Sequence, residues 1–411
     1  MSLRYSYHST CRRRTPIMLS FDYTRELIGL EEGIVTGVRQ TESECFITLE
    51  MPRSLHPCPS CGILTDQIHD YRMQPVKDIP AFGRYVTLLL RKRRYRCPDC
   101  GKRFREPVSF LPKYHRMTNR LSSFVVNELR KVYSMKDVAE RTHVSATTAA
   151  RIFDFVSFPD ISLPKVLSID EFRGNAGGEK FQCILTNPKE RKTLDVLPSR
   201  RSEDLYAYFS RFPDRNRVEY IVMDMSPLFR SVMKSCFPRA ILIADHYHVK
   251  RLVIWAFELV RKEEQKKFSD QRRKYFKQSR KVLLKDPERL TEMEQDQVAA
   301  MLSISERLRY AYALKTEFSK VMLSKDSLEG KRRLGIWCMM AQSYRTIIPE
   351  FNACFTTFNN WQKEILASFD HPYTNGYTEG VNNKIKVIKR NAYGVRNFER
   401  FRNRILHVMA A

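Results

Sequence analysis

The chain has 411 residues, 43% of them hydrophobic, and carries 72 Lys and Arg against 46 Asp and Glu, a formal net charge of +26. That composition excludes general disorder and leaves room for two to four domains with a substantial core. The positive excess points to a polyanionic partner, nucleic acid first, because each phosphate paired with Lys or Arg releases counterions; a basic ribosome-associated or membrane-surface protein is the plainer alternative.

No apolar run approaches the ~20 residues of a membrane span. The N-terminal MSLRYSYHSTCRRRTPIMLSF is basic but lacks the apolar core and cleavage site of a signal peptide. Residues 1–18 read as a loose, disordered basic arm, or as an over-long start with Met18 as the true first residue. Of ten cysteines, four fall in two paired motifs and six are scattered, which suits a reducing cytoplasm better than a disulfide framework.

Residues 19–112 form the first expected domain. GIVTGVRQ (33–40) and ECFITLEM (44–51) alternate as strands do. Cys58 and Cys61 in HPCPSCG and Cys97 and Cys100 in YRCPDCGKRF form two Cys-x-x-Cys-Gly knuckles. Glycine lets each backbone bend so that both thiolates face one point, and four thiolates are the tetrahedral set that one structural Zn²⁺ prefers. A redox Cys-x-x-Cys would occur once, at a strand-to-helix turn. TLLLRKRRYR (87–96) reads as the returning strand of a hairpin between the knuckles. Its Arg91, Arg93, Arg94 and Arg96, with Lys102 and Arg103 beyond, are candidate phosphate contacts.

Residues 113–160 are expected to be a helix-turn-helix domain. MKDVAERTHVSATTAARIFDFV (135–156) places a first helix at 135–141, a turn at His143 and Val144, Ser145 as N-cap and a second helix from Ala146. Val138, Ala139, Val144, Ala149 and Ile152 fit a three-helix core, leaving Thr147, Thr148 and Arg151 for a major groove; an ordinary helical hairpin is the alternative.

FPDISLPK (158–165) separates the next unit, 161–250, which alternates in the α/β manner: strands at 165–172, 180–187 and 192–197, a helix at 202–212, a strand at 218–224, a helix at 227–236 and a strand at 240–245. Residues 251–368 read as a basic helical insertion, with no sustained heptad. Residues 369–411 supply the final helices. This order is that of a ribonuclease-H-like α/β core with a mixed five-stranded sheet, in which the fourth strand pairs in parallel with the first. Asp170, within VLSID, and Asp224, closing YIVMD, then become neighbours. Two adjacent carboxylates repel unless cations separate them, and Mg²⁺ accepts oxygen ligands with few protein contacts. Two ions about 4 Å apart can serve the attacking and the leaving oxygen of a phosphoryl transfer. Glu379, opening TNGYTEGVNNKIKVIKR (374–390), would be the third ligand, with Asn383 and Lys386 on its face, and Lys389 and Arg390 beyond, as candidate DNA contacts. Asp245 and His248 form Asp-x-x-His after the fifth strand, either a helix cap with a satisfied, partly buried histidine or a group acting behind the metal ligands or contacting DNA. Trp337 and Trp361 read as core residues, with base stacking as the rival role.

The paired CPxCG knuckles, LSIDEF, VMDMS, ADHYHVKR and NGYTEGVNNKIKVIKRNAYGVRNFERFRNRI together resemble the bacterial insertion-sequence transposases of the DDE class, most closely the ISL-three group. The resemblance covers nearly the whole chain. It implies Asp170, Asp224 and Glu379 as the DDE triad holding two Mg²⁺ (or Mn²⁺), recognition of terminal inverted repeats, strand cleavage, and joining of a 3′-hydroxyl to double-stranded target DNA. It implies a homodimer or larger synaptic complex in the bacterial cytoplasm at the nucleoid, with no membrane or nucleotide cofactor. A domesticated, non-catalytic DNA-binding regulator and a nuclease that cuts without joining are the rival expectations.

Overall fold

The computed structural model describes residues 29, 30, 32–278 and 280–410; the expected basic arm at 1–18 and the start of the lead-in lie outside them. Two compact units are formed. One takes in the described chain up to Asn127 together with Lys136–Ile152; the other is Glu128–Met135 and the chain from Phe153 onward.

The first unit is built on a five-stranded sheet. Strands β1 (Ile34–Gln40), β2 (Glu44–Glu50), β5 (Ile68–Ala81) and β6 (Arg84–Arg96) lie in the order β1-β2-β6-β5, and β7 (Arg103–Arg105) also pairs with β6. The lead-in therefore shares one sheet with the hairpin that separates the knuckles, through a parallel β2–β6 pairing. Alternation is clean where the pleat demands it: Cys45, Ile47 and Leu49 of β2 meet Val86, Leu88 and Leu90 of β6 in one core. The short ribbon β3 (His56–Pro57) and β4 (Leu64–Thr65) frames the first knuckle. Helix α1 (Asn119–Glu128) follows. Helix α2 (Met135–Arg141) has the bounds the sequence predicts, and α3 (Ala146–Phe153) starts at the predicted Ala146. His143 takes the turn at φ 55°, and the Ser145 hydroxyl accepts from the Thr148 N–H at 3.1 Å, capping α3.

The second unit carries the mixed sheet, with strands β8 (Val166–Ala176), β9 (Glu179–Asn187), β10 (Lys192–Leu197), β11 (Tyr220–Met223) and β12 (Ile241–Ala244) in the order β10-β9-β8-β11-β12. β8, β9 and β10 are antiparallel neighbours, and β11 runs parallel to both β8 and β12. The expected order and the parallel first-to-fourth pairing are both present. Helices α4 (Ser202–Ser210) and α5 (Pro227–Cys236) connect the strands, and α6 (His246–Lys266) leaves β12.

Beyond α6 the described chain to residue 370 is helical: α7 (Asp270–Gln278), α8 (Arg280–Leu284), α9 (Glu292–Ile304), α10 (Glu306–Met322), α11 (Ser327–Ser343), α12 (Asn352–Asn360) and α13 (Gln362–Asp370). These helices are not a loose appendage. Val298, Leu308, Phe318, Trp337 and Ile365 belong to the same continuous core as Leu167, Ile169, Ile221 and Leu242 of the sheet. The opposite sheet face, through Phe172, Ile184 and Val196, is covered by α14 (Gly376–Asn391) and α15 (Phe398–Met409), with Val381, Ile385, Ile388, Phe401 and Ile405. Each strand's period of two thus feeds two cores at once. No helix among the described residues is long and apolar enough to cross a membrane.

Candidate functional site

In the first unit the two knuckles fold alike. The Gly62 N–H donates to the Cys58 carbonyl at 2.9 Å and the Gly101 N–H to the Cys97 carbonyl at 3.1 Å, with φ of 76° and 70° at the two glycines. Only glycine enters that left-handed region without strain, so the Cys-x-x-Cys-Gly pattern is a geometric requirement. The Sγ atoms of Cys58 and Cys100 lie 3.5 Å apart, as do those of Cys61 and Cys97, and all four fall within 4.8 Å of one another. A tetrahedral ion bonded at ~2.3 Å needs sulfurs about 3.8 Å apart. The cluster fits structural zinc.

The basic strand beside it needs one correction. Arg93, expected among the phosphate contacts, is buried: its guanidinium meets Glu106 at 3.3 Å and donates to the Met51 carbonyl at 2.5 Å. With Tyr95 it lies on the strand face opposite Val86, Leu88 and Leu90, the face on which Arg91 is exposed, and it is buried there because Glu106 and Met51 cover it. Arg91 lies over the Tyr71 ring and bonds Glu50, and Arg94 pairs with Asp70 at 2.7 Å. Arg96, Lys102 and Arg103 are exposed, as are Thr147 and Arg151 on α3, whereas the Thr148 hydroxyl is engaged with Ser145 at 2.8 Å.

The second site lies where three acidic side chains sit side by side, Asp170 within β8 and Asp224 and Asp245 directly after β11 and β12. β8 and β11 pair Ile169 with Met223, so Asp170 and Asp224 come next along adjacent strands. β11 and β12 pair Met223 with Ala244, which sets Asp245 beside Asp224. Asp170 shares its face of β8 with Ser168 and Phe172, the face that α14 covers. That helix buries Thr378, Val381, Asn382, Ile385 and Ile388, a helical stripe that leaves Glu379 on its flank. A buried hydroxyl network fixes the helix in place. Ser168 Oγ donates to Asn375 Oδ1 at 2.6 Å, and Thr378 Oγ1 lies 2.9 Å from Ser168 and 2.8 Å from Thr186. The Asn375 N–H donates to Asp245 Oδ1 at 3.0 Å.

Asp170, Asp224, Glu379, Asn383, Lys386 and Lys389 all line one cleft of about 570 Å³, together with Glu171, His248 and Arg251. Lys389 donates to the Arg173 carbonyl, and Arg390 is exposed but does not line the cleft. Asn382 was not foreseen. It faces inward, one residue from the predicted Asn383, and its Nδ2 donates to Asp170 Oδ2 at 2.7 Å. The signal was in the helical period, since position 382 continues the apolar stripe while carrying an amide.

Of the two readings of Asp-x-x-His, the helix cap is present. Asp245 caps α6, accepting from the His248 N–H, and His248 Nδ1 sits 3.1 Å from Asp245 Oδ2 and 2.7 Å from Asp224 Oδ1. Burial opposes charge on this imidazole, but the two carboxylates prevail and raise it to about 10. Burial works to raise Asp245, yet the His248 side chain and the Asn375 N–H outweigh it and hold that carboxyl low. Asp170 is pushed up to about 7, first by burial and then by the charge of Asp224. Glu379 is raised by burial and by the nearby charge of Asp245. Acidic groups held up by one another are what a divalent cation relieves. Asp224 Oδ1 is buried, with His248 Nδ1 2.7 Å away as a close polar neighbour. The carboxylate oxygens of Asp170, Asp224 and Glu379 are the hard, all-oxygen donors that a cation such as Mg²⁺ takes. Trp337 and Trp361 are buried in the helical core, which removes them from base stacking.

A mixed five-stranded sheet with acidic residues side by side on adjacent strands, closed by a helix that brings Glu379 to the same cleft and preceded by a Cys₄ finger and helix-turn-helix, defines a catalytic core of the DDE class. Comparison with known proteins agrees. A transposase model of the ISL3 group matches residues 167–405, the zinc finger of transposases IS204/IS1001/IS1096/IS1165 matches 54–100, and the helix-turn-helix domain of transposase family ISL3 matches 106–157. The transposase for insertion sequence element IS1001 of Bordetella parapertussis is 28% identical over 357 residues, 84% of this chain and 86% of that protein. The transposase for insertion sequence element IS1557 of Mycobacterium tuberculosis is 28% identical over 207 residues, 44% of this chain and 45% of that protein. A Lactococcus lactis protein named ATP-dependent protease is 34% identical over 113 residues, 28% of this chain and 34% of its own. The chain belongs to the ISL3 family of DDE transposases, catalytic polynucleotidyl transferases.

Proposed function

We propose that this transposase binds the terminal inverted repeats of its insertion sequence, cleaves a DNA strand there, and joins the freed 3′-hydroxyl to target DNA, with Asp170, Asp224 and Glu379 as the ligands of a Mg²⁺ pair (or Mn²⁺). The observation that carries this reading is the convergence of those three carboxyls, far apart in sequence, on one cleft. When bound, the cations would neutralise phosphate charge and assist the attacking and leaving oxygens of an in-line displacement. The chain's own residues do the positioning. Asn382 fixes the rotamer of Asp170, His248 holds Asp224 against Asp245, and the Thr378 network sets the depth of Glu379. Lys386 and Arg251, on the cleft wall, suit the phosphates of the scissile strand. Arg96, Lys102 and Arg103 beside the zinc cluster, and Thr147 and Arg151 on α3, suit the duplex of the element ends.

Joining two ends needs at least two such sites, so the working form is a homodimer or a larger synaptic assembly acting at the nucleoid. The test uses labelled duplex carrying the element's ends and a target plasmid. Wild type should cut and join in Mg²⁺. Asp170→Ala and Glu379→Ala should do neither while still binding the ends. Cutting without joining identifies a nuclease, and binding without cutting in the wild type identifies a regulator.

A further inference from the structure

We infer that a second cavity beside the carboxylate cleft is a subsite for one unpaired nucleobase, with Trp255 as its stacking wall. The inference rests on the strand-transfer reading above, which puts a phosphodiester in the adjoining cleft. Helix α6 leaves that cleft with Tyr247, Arg251 and Trp255 at four-residue spacing, one stripe of its surface. Trp255 is 53% exposed and Tyr247 54% exposed, whereas Trp337 and Trp361 are buried. Large aromatic side chains left half in water beside a site are candidates for a ligand surface. The Arg251 guanidinium lies 4.2 Å from the Trp255 ring centroid and 5.8 Å from that of Tyr247, so a cation already rides on the stripe.

Trp255 and Arg251 border a cavity of about 310 Å³ with an apolar floor of Met225, Phe229 and Leu252. Asp224, Glu171, His248 and Arg251 line both this cavity and the carboxylate cleft, so the two share a wall. Arg200, held by Glu171 at 2.5 Å, adds positive charge at the same wall. An apolar floor, an aromatic side and two guanidiniums, one step from a phosphate-binding cleft, match a planar base still joined to its backbone. A base inside a duplex cannot reach such a pocket and must leave the stack first. Stacking on indole accepts any base, so the subsite distinguishes unpaired from paired rather than one sequence from another.

Trp255 fluorescence reads this directly, because the other two tryptophans are buried. A short oligothymidylate, added without Mg²⁺, should quench a component of the emission that Trp255→Phe lacks. A strand of the same length made of abasic tetrahydrofuran units has the phosphates without the bases and should leave that component unquenched. With labelled element ends in Mg²⁺, Trp255→Ala should cut fully paired DNA about 10-fold more slowly. Trp255→Phe should cut it near the wild-type rate, and a mismatch beside the scissile phosphate should restore Trp255→Ala. Equal quenching by the abasic strand, no quenching by either strand, or a Trp255→Ala defect that mismatch does not relieve would each overturn the subsite. Quenching is read without strand cleavage, so it can fail while Asp170-dependent cutting stands, and the reverse.

Discussion

Asn382 Nδ2 donates to Asp170 Oδ2 at 2.7 Å, joining a helix to a strand 212 positions away in the chain. Asp170 is 6% exposed and its other oxygen accepts the Glu171 N–H, so the amide fixes which lone pairs remain for a cation. Partners of this kind orient a metal ligand, and losing one typically costs 10- to 100-fold in metal affinity or activity. Asn382→Ala should therefore require much more Mg²⁺ for half-maximal strand cleavage and should lower the rate about 10-fold or more. Asn382→Asp, which sets a further carboxylate against Asp170, should be worse. An unchanged Mg²⁺ titration in both variants would remove Asn382 from the site.

Thr378 tests how Glu379 is held. Its hydroxyl is buried between Ser168 and Thr186, while the neighbouring residue on the helix reaches the cleft. Thr378→Val keeps the volume and removes the hydroxyl, which strands the buried Thr186 hydroxyl, while Ser168 keeps Asn375, at a cost of about 1–3 kcal/mol. The melting temperature should fall, and cleavage should fall further than the lost stability accounts for when assayed well below that temperature. Thr378→Ser, which restores the hydroxyl, should recover most of the cleavage. If Thr378→Val melts early yet cleaves normally at low temperature, the network supports the fold without placing Glu379.

The parts of this protein legible in its sequence are those fixed by local pattern. Cys-x-x-Cys-Gly announces its own turn, Ser145 its cap, and the alternation of β and α segments from 165 to 245 its sheet order, because each rests on backbone geometry within a few residues. Asp170 and Asp224 were placed together by one topological rule, the parallel pairing of the first and fourth strands. What stayed hidden depends on which way a side chain turns. Arg93 sits in a run of cations indistinguishable by charge and shares a strand face with the exposed Arg91; only the tertiary placement of Glu106 over it makes it a buried residue. Asn382 and Asn383 are the same residue type, and only the packing of α14 decides which one meets Asp170. Among three tryptophans, exposure picks out Trp255, which no spacing rule singled out.

His248 gives a pH dependence with a definite sign. Its folded value is raised to about 10 from an ordinary 6.5 by Asp224 and Asp245. The folded state therefore binds this proton more tightly than the unfolded chain, and the stabilisation is complete below about pH 6.5. It is lost as pH rises through about 10. In Mg²⁺-free buffer the melting temperature should drop more steeply between pH 7 and pH 10 in the wild type than in His248→Gln, which keeps a polar side chain without the charge. Added Mg²⁺ shares the same carboxylates and should narrow the difference. Parallel curves for the two proteins without Mg²⁺ would show that the imidazole is not held as a cation.

Zinc removal should separate the two units functionally. Cys58 and Cys97 are buried, and each knuckle closes on itself through the glycine turn, so the four thiolates have little else to hold them together. A Cys₄ ion contributes folding energy outright, and its loss releases the segments it ties. Here those segments are the open end of the long β5–β6 hairpin, with the exposed Arg96, and the chain that leaves the second knuckle into β7, with the exposed Lys102 and Arg103. Purified protein should contain one zinc per chain by elemental analysis. Cys97→Ser, or a zinc-selective chelator, should abolish binding of the element ends and open the hairpin to protease. The melting transition of the second unit should stay in place, since its cores draw no residue from the knuckles. If end binding survives with the metal gone, the helix-turn-helix alone reads the ends and the basic strand beside the zinc has another role.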